Sequence, residues 1–301
     1  MKNTPFIAVT SQPVPYHADT TAIFNTLCQQ NSNSLLLDSA EIGSKNSLQS
    51  LILINAAVKI TCLGNQVTFR ALNANGKQVL NEIHPVLSQL GTVNAVNFEN
   101  EFSVQFAPLD NQLDEDSKLQ AATIFDGLRV ISNHYQHSST PVFLGGLFAY
   151  DLVANFIPMQ GVELKDDGIN CPDYSFYLAE NLITIDHQSQ QATLKSFCFS
   201  QEEQVEVAKT ALSIAQKLKN IDGVLSIKAA SDEVSTNFED PEFIGIVKAL
   251  KHHINIGDVF QIVPSRRFSL ACPNTLASYA QLKHNNPSPY MFYMNDEDFI
   301  L

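Results

Sequence analysis

Apolar positions change their period several times along the chain, and each change marks an element. Ile23, Phe24, Leu27 and Cys28 share one helical face, so the spacing predicts a helix over 21–30 capped by Asp19 or Thr20. The run Leu35-Leu36-Leu37 reads as a short buried strand entering a polar turn at Asp38-Ser39. Over 48–73 the period shortens to two. Val58, Ile60 and Cys62 alternate with Lys59 and Thr61, and Val67, Phe69 and Ala71 alternate back with Thr68 and Arg70. Gly64-Asn65 between them is a two-residue hairpin turn. Asn75-Gly76 reads as another turn before a helix over 79–90. An irregular stretch over 91–113 then leads to a long helix over 117–137 with Phe125, Leu128 and Ile131 as its inward stripe.

In the second half, 143–153 reads as a strand entering a bend at Gly145-Gly146. Residues 174–186 and 190–199 form a hairpin around 187–189, and 202–219 a helix. A linker lacking any sustained period covers 222–237. The register then resets. Asp240 caps, Pro241 takes the first helical position, and Phe243, Val247, Leu250 and Ile254 recur on one face until Gly257. A strand over 259–270, a helix over 275–284 and the breaker Asn286-Pro287-Ser288-Pro289 follow. The chain closes on a strand over 290–294, a turn, and an apolar Phe299-Ile300-Leu301 that opens a further strand. Such a strand would leave one ladder unpaired, so the expectation is a fragment. Helices, hairpins and meanders without regular βαβ spacing predict an α+β fold with large, mostly antiparallel sheets. The expected domains are 1–235, linker included, and 236–301.

Composition narrows the function classes. The chain has 301 residues, 18 Lys+Arg against 31 Asp+Glu, and a formal charge of −13. That balance argues against nucleic acid and against an anionic membrane surface. No apolar run approaches the roughly 18 residues of a membrane span. Cys28, Cys62, Cys171, Cys198 and Cys272 are odd in number and widely spaced, which predicts reduced thiols and a cytoplasmic protein. Dinucleotide, P-loop, nucleophile-elbow and zincin motifs are absent. Adjacent His252-His253 diverge by about 100° on a helix, and His134 with His137 lacks a third ligand, so no metal site is expected. Arg266 or Arg267 suits either a ligand carboxylate or a local acidic partner. Gly145-Gly146 suits a bend or a close backbone approach. Asp38 and Ser39 can cap the next segment or bind an ammonium group. Pro287-Ser288-Pro289 holds rigid backbone suited to a small polar ligand. From the residues alone no nucleophile, base or metal cluster emerges.

These segments also carry a resemblance. Leu35-Leu36-Leu37-Asp38-Ser39-Ala40, Leu144-Gly145-Gly146-Leu147-Phe148-Ala149-Tyr150-Asp151, Asn170-Cys171-Pro172-Asp173 and Ile185-Asp186-His187 resemble signatures of anthranilate synthase component I, a chorismate-utilising family. So do the run from Gly257 to Phe268, with Val263-Pro264-Ser265-Arg266-Arg267, and Asn286-Pro287-Ser288-Pro289-Tyr290-Met291-Phe292. The resemblance implies a tryptophan-binding regulatory domain followed by the start of a chorismate-binding domain. It implies that Asp38, Ser39, Pro289, Tyr290 and Met291 bind L-tryptophan, with Asp38 facing the ammonium group. Arg129, Cys171, Asn286 and Phe292 would form the surrounding shell. Asp38 stands where the family commonly has Glu, and Gln49 where relatives often have Lys. The implied reaction converts chorismate and ammonia to anthranilate and pyruvate with Mg2+, the ammonia coming from a glutamine amidotransferase subunit. The family's magnesium-binding and acid–base groups lie beyond the matched positions, so no catalytic residue or metal ligand is assigned and these 301 residues alone are expected to be inactive. The alternatives are component I of aminodeoxychorismate synthase and a non-catalytic amino-acid-binding module.

Overall fold

The computed structural model describes residues 5–28, 31–39, 48–97, 99–108, 112–136, 140–157, 171–221 and 233–301. Twelve strands are named in chain order: β1 (Ala8–Val14), β2 (Ser34–Asp38), β3 (Gln49–Leu63), β4 (Gln66–Ala71), β5 (Thr92–Asn97), β6 (Glu101–Gln105), β7 (Leu144–Phe148), β8 (Tyr174–Asp186), β9 (Gln191–Cys198), β10 (Val234–Thr236), β11 (Phe268–Leu270) and β12 (Met291–Asn295). The helices are α1 (Thr20–Cys28), α2 (Ala74–Leu87), α3 (Glu115–Gln120), α4 (Asp126–His134), α5 (Gln204–Lys217), α6 (Asp240–Asn255) and α7 (Thr275–Asn285). The fold is α+β and its sheets are antiparallel throughout.

The main sheet is organised by its two longest strands. β3 and β8 pair along nearly their whole length, with register shifts between Leu53 and Val58 that bend the sheet. Each then serves two neighbours on its other edge. The first part of β3 pairs β2 and the last part pairs β4, while β8 pairs β7 and then β9. One wing therefore runs through β12, β2, β9 and β1, and the other through β4, β6, β5 and β7. Helix α2 rests on β3 and β4, α1 on β2 and β3, and α5 on β9. Phe69, Phe102, Tyr135, Tyr174, Phe197 and Phe199 are the large side chains of the core.

Local sequence accounts for much of this. The Asp19 carboxylate accepts from the Thr21 and Ala22 N–H groups, so Asp19 is the cap of α1. Gly64, at φ +58°, makes the expected tight turn between β3 and β4. Gly257, at φ +83°, ends α6. Gly146 lies against the backbone of β8, where a Cβ would come within 2.1 Å of the Ser175 carbonyl oxygen. The glycine pair is thus a close-approach device.

Other expectations are corrected. Asn75-Gly76 is the first turn of α2, capped by Asn73, whose side chain accepts from Gly76 N–H at 2.9 Å. The stretch over 91–113 holds β5 and β6. The helix over 117–137 is two helices, because Asp126 bends back to accept from Thr123 N–H at 2.7 Å and starts a new one. Of 259–270 only Phe268–Leu270 is strand. Glu239, not Asp240, caps α6, and its N–H donates to Glu242 at 3.1 Å. The closing apolar segment is paired, since Leu301 and Met294 exchange both backbone hydrogen bonds. Ala40, His137, Asn170 and positions 222–232 of the linker lie outside the described residues.

The chain divides into two compact units, Met1–Val224 with Leu282–Leu301, and Leu225–Gln281. The first contains the main sheet. The second contains β10, β11 and α6, and α6 has no buried residue.

Candidate functional site

β12 lies antiparallel beside β2, with Met291 opposite Asp38 and Phe292 opposite Leu37. Two segments from distant parts of the chain thereby become one strand pair. Leu35, Leu36, Tyr293 and Met294 are buried and hold the pair in register, while Tyr290 and Phe292 are exposed beside it. Pro289 and Tyr290 form the approach to β12. Asn286 ends α7, its N–H bonded to the Leu282 carbonyl at 2.8 Å.

Asp38, at the end of β2, is the charged centre of this pair. Its side chain is 0% exposed. Oδ1 accepts from the Ser50 hydroxyl at 2.6 Å and from Ser39 N–H at 3.1 Å. Oδ2 accepts from the Thr20 hydroxyl at 2.7 Å and from the Lys283 ammonium. Lys283 also donates to Thr20 Oγ1 at 2.9 Å. Behind Ser50 stands His187, with Nε2 2.9 Å from Ser50 Oγ and Nδ1 3.2 Å from the Tyr16 hydroxyl. Ser50 gives its only proton to Asp38, so it accepts from His187 Nε2–H, and Nδ1 is left to accept from Tyr16. Burial pushes the His187 pKa below its usual value and Lys283 pushes the same way, outweighing Asp38 and Asp186. Both effects favour the neutral ring.

The expected residues are brought together unequally. Asp38, Ser39, Pro289, Tyr290, Met291 and Phe292 gather at the β2–β12 pair, with Asn286 on the segment that leads into β12. Arg129 lies on α4, where it bonds Asp126 at 3.3 Å and covers the Phe125 ring. Cys171 is half-buried. Burial raises its thiol pKa, and the carboxylates of Asp296, Asp151 and Asp173 add to the effect. All five cysteines are free thiols. Arg266 pairs with Asp240 at 2.6 Å, its local acidic option. Thr20, Ser50, His187 and Lys283 are the residues around Asp38 that the sequence did not single out for a site. Lys283 in particular looks like an ordinary cation in the last turn of a helix. Among the described residues no three His, Cys, Asp or Glu side chains converge as a metal ion would require. No described helix is long and apolar enough to cross a membrane.

Fold and site together define an antiparallel α+β protein with a buried carboxylate holding a cation where distant segments meet. Comparison with known proteins narrows that class. Residues 81–301 match the model of chorismate binding enzymes, and the chain belongs to that family. It is 88% identical over 296 residues to anthranilate synthase component 1 of Haemophilus influenzae, covering 98% of this chain and 57% of that protein. The identity to anthranilate synthase component 1 of Vibrio cholerae is 44% over 311 residues, covering 100% and 58%. The crystal structure of anthranilate synthase component I from Streptococcus pneumoniae shares the fold, with a TM-score of 0.54 at 17% identity over 86% of this chain and 50% of that one. The chain spans a little over half the length of the curated relatives it matches.

Proposed function

We propose that the whole protein carrying this chain is the large subunit of an anthranilate synthase. It converts chorismate and ammonia to anthranilate and pyruvate in the cytoplasm, with a glutamine amidotransferase subunit supplying the ammonia. The observation behind this reading is the 88% identity to a protein of that name across 98% of the chain. In this reading the reaction uses Mg2+, and the ligands of that ion and the acid–base groups belong to the part of the whole protein outside these 301 residues. Residues 1–235, completed by β12, serve regulation in this reading, and 236–301 begin the chorismate-binding domain.

The β2–β12 pair is the seat for feedback by L-tryptophan. Its support is the register that sets Met291 opposite Asp38. Asp38 suits the ammonium group, Ser39 and the rigid Pro289-Tyr290 backbone suit the polar head, and Tyr290 and Met291 can wall the indole. Arg129, Cys171, Asn286 and Phe292 form the regulatory shell in this reading. Burying an indole removes about 150–250 Å² from water. At about 25 cal/mol per Å² this contributes roughly 4–6 kcal/mol before the costs of association.

Calorimetric titration of L-tryptophan is expected to show binding, weakened about tenfold by Ser39→Ala. Unchanged affinity would remove Ser39 from the seat. For the reaction, the whole protein given chorismate, glutamine and its amidotransferase should release anthranilate and pyruvate. Accumulation of aminodeoxychorismate would move the protein to the sister enzyme.

A further inference from the structure

Asp38 is a crowded acceptor. A carboxylate offers about four acceptor sites, and among the described residues Ser50 and Ser39 N–H bond Oδ1 while Thr20 and Lys283 bond Oδ2. Three of these donors are fixed in place. Thr20 and Ser50 are buried on α1 and β3, and the Ser39 donor is backbone. Of these four donors Lys283 is the charged one, on a long flexible stem, and its side chain is 24% exposed against 0% for Asp38. An incoming α-ammonium is the chemical equivalent of the lysine ammonium. The position of Lys283 Nζ on Asp38 Oδ2 therefore suits it. A plain amine that took it would merely trade one cation for another and leave Lys283 without its carboxylate. A zwitterion brings a second carboxylate and leaves both protein charges paired.

We propose that the Lys283–Asp38 ion pair is the head-group clamp of this seat. A zwitterionic α-amino acid inserts between the two side chains. Its ammonium replaces Nζ on Asp38 Oδ2, and its carboxylate pairs with the Lys283 ammonium so released. One ion pair becomes two, with no proton transferred and no covalent bond changed. The clamp rests on the preceding reading for the location of the seat and for tryptophan as the amino acid. Lys283 lies in the last turn of α7, three residues before Asn286, so insertion also draws on the segment that leads into β12. Lys283 is thus a specificity residue that selects zwitterions over amines and over acids.

The test titrates L-tryptophan, tryptamine and indole-3-propionate into the 301-residue chain and into Lys283→Met and Lys283→Arg, with thermal unfolding as a check on folding. The unaltered chain should prefer L-tryptophan to both analogues. Lys283→Met should weaken L-tryptophan at least about tenfold, the size of a lost charge-assisted bond. The same variant should bind tryptamine as well as before or better, because the competing ammonium is gone. Lys283→Arg keeps a cation and should stay closer to the unaltered chain than Lys283→Met does. Undiminished L-tryptophan binding in Lys283→Met overturns the clamp. So does a parallel loss of tryptamine, which is what damage to the seat would produce. If another α-amino acid binds with this dependence on Lys283 and L-tryptophan does not, the clamp stands and the tryptophan reading falls. If no α-amino acid binds, both fall.

Discussion

Lys59 lies where strand alternation predicts a solvent-facing side chain, yet it is buried. Its ammonium donates to Asp296 Oδ1 at 2.7 Å, and Asp296 also accepts from the Tyr177 hydroxyl and from Asp298 N–H. Burial works against the ionised carboxylate, but the bonds from Lys59 and Tyr177 outweigh it and hold Asp296 below the ordinary carboxylate range. Removing one member of a buried pair leaves the other uncompensated. Lys59→Met is expected to lower the unfolding free energy by about 3–5 kcal/mol, read from urea unfolding at neutral pH. Adding Asp296→Asn should recover part of the loss, since a neutral amide needs no cation. The pH dependence has a definite sign. A lowered folded pKa gives stability that is complete above the unfolded value and lost as pH falls through the folded one. The original chain should therefore lose stability below the ordinary carboxylate range more steeply than Lys59→Met, and identical acid limbs would contradict this account. Alternation misplaced Lys59 because it assumes one wet face, whereas the turn carrying Asp296 and Glu297 covers the second face, held by Lys59, Arg70 and Asn33. At the candidate site, Asp38 and Ser39 were legible through motif resemblance. Lys283, 245 residues from Asp38 in sequence, carried no local signal of its partner.

At the scale of elements, Gly146 shows what local sequence can specify. A Cβ there would lie 2.1 Å from the Ser175 carbonyl oxygen and 2.6 Å from Phe176 Cα, and backbone in a paired strand cannot yield. A Cβ on Gly145 meets the Phe143 ring at 2.6 Å and Leu35 Cδ2 at 3.0 Å, which are side chains that can turn. Gly146→Ala should therefore destabilise by about 1–3 kcal/mol or more and strip amide protection from 144–148, with Gly145→Ala the milder change. Denaturant midpoints and amide exchange check both, and the opposite ranking would discredit the close-approach argument. The elements legible in sequence are those whose causes are local. They include the cap and apolar face of α1, the turn between β3 and β4, the hairpin of β8 and β9, and the glycine that ends α6. β5 and β6 escaped notice because their short polar-rich runs gain their order from pairing in the sheet rather than from pattern. The break between α3 and α4 comes from one side chain, Asp126, bonding back to the chain, which helical periodicity cannot register.

At the scale of the whole molecule, stability should follow the division into two units. β3 and β8 are almost continuously buried, whereas α6 buries no residue. Local opening free energies span the range from near zero to that of global unfolding. Amides of β3 and β8 should therefore exchange through global unfolding, and those of α6 through local opening at much lower cost. Ligand linkage then separates the elements further. At a hundred times its Kd, a ligand stabilises the binding-competent state by about 2.7 kcal/mol, roughly a hundredfold in any opening that destroys the site. The seat proposed above is the β2–β12 pair, and on that proposal L-tryptophan should slow exchange of Ser34–Asp38 and Met291–Asn295 toward that limit. It should leave α6 exchanging as before, because α6 carries none of the four donors given for Asp38. Hydrogen exchange with and without saturating L-tryptophan reads all of these segments in one experiment. Unchanged β2 and β12 alongside measurable binding would move the ligand away from the strand pair. Equal slowing in α6 would show that the helix opens only when the seat does.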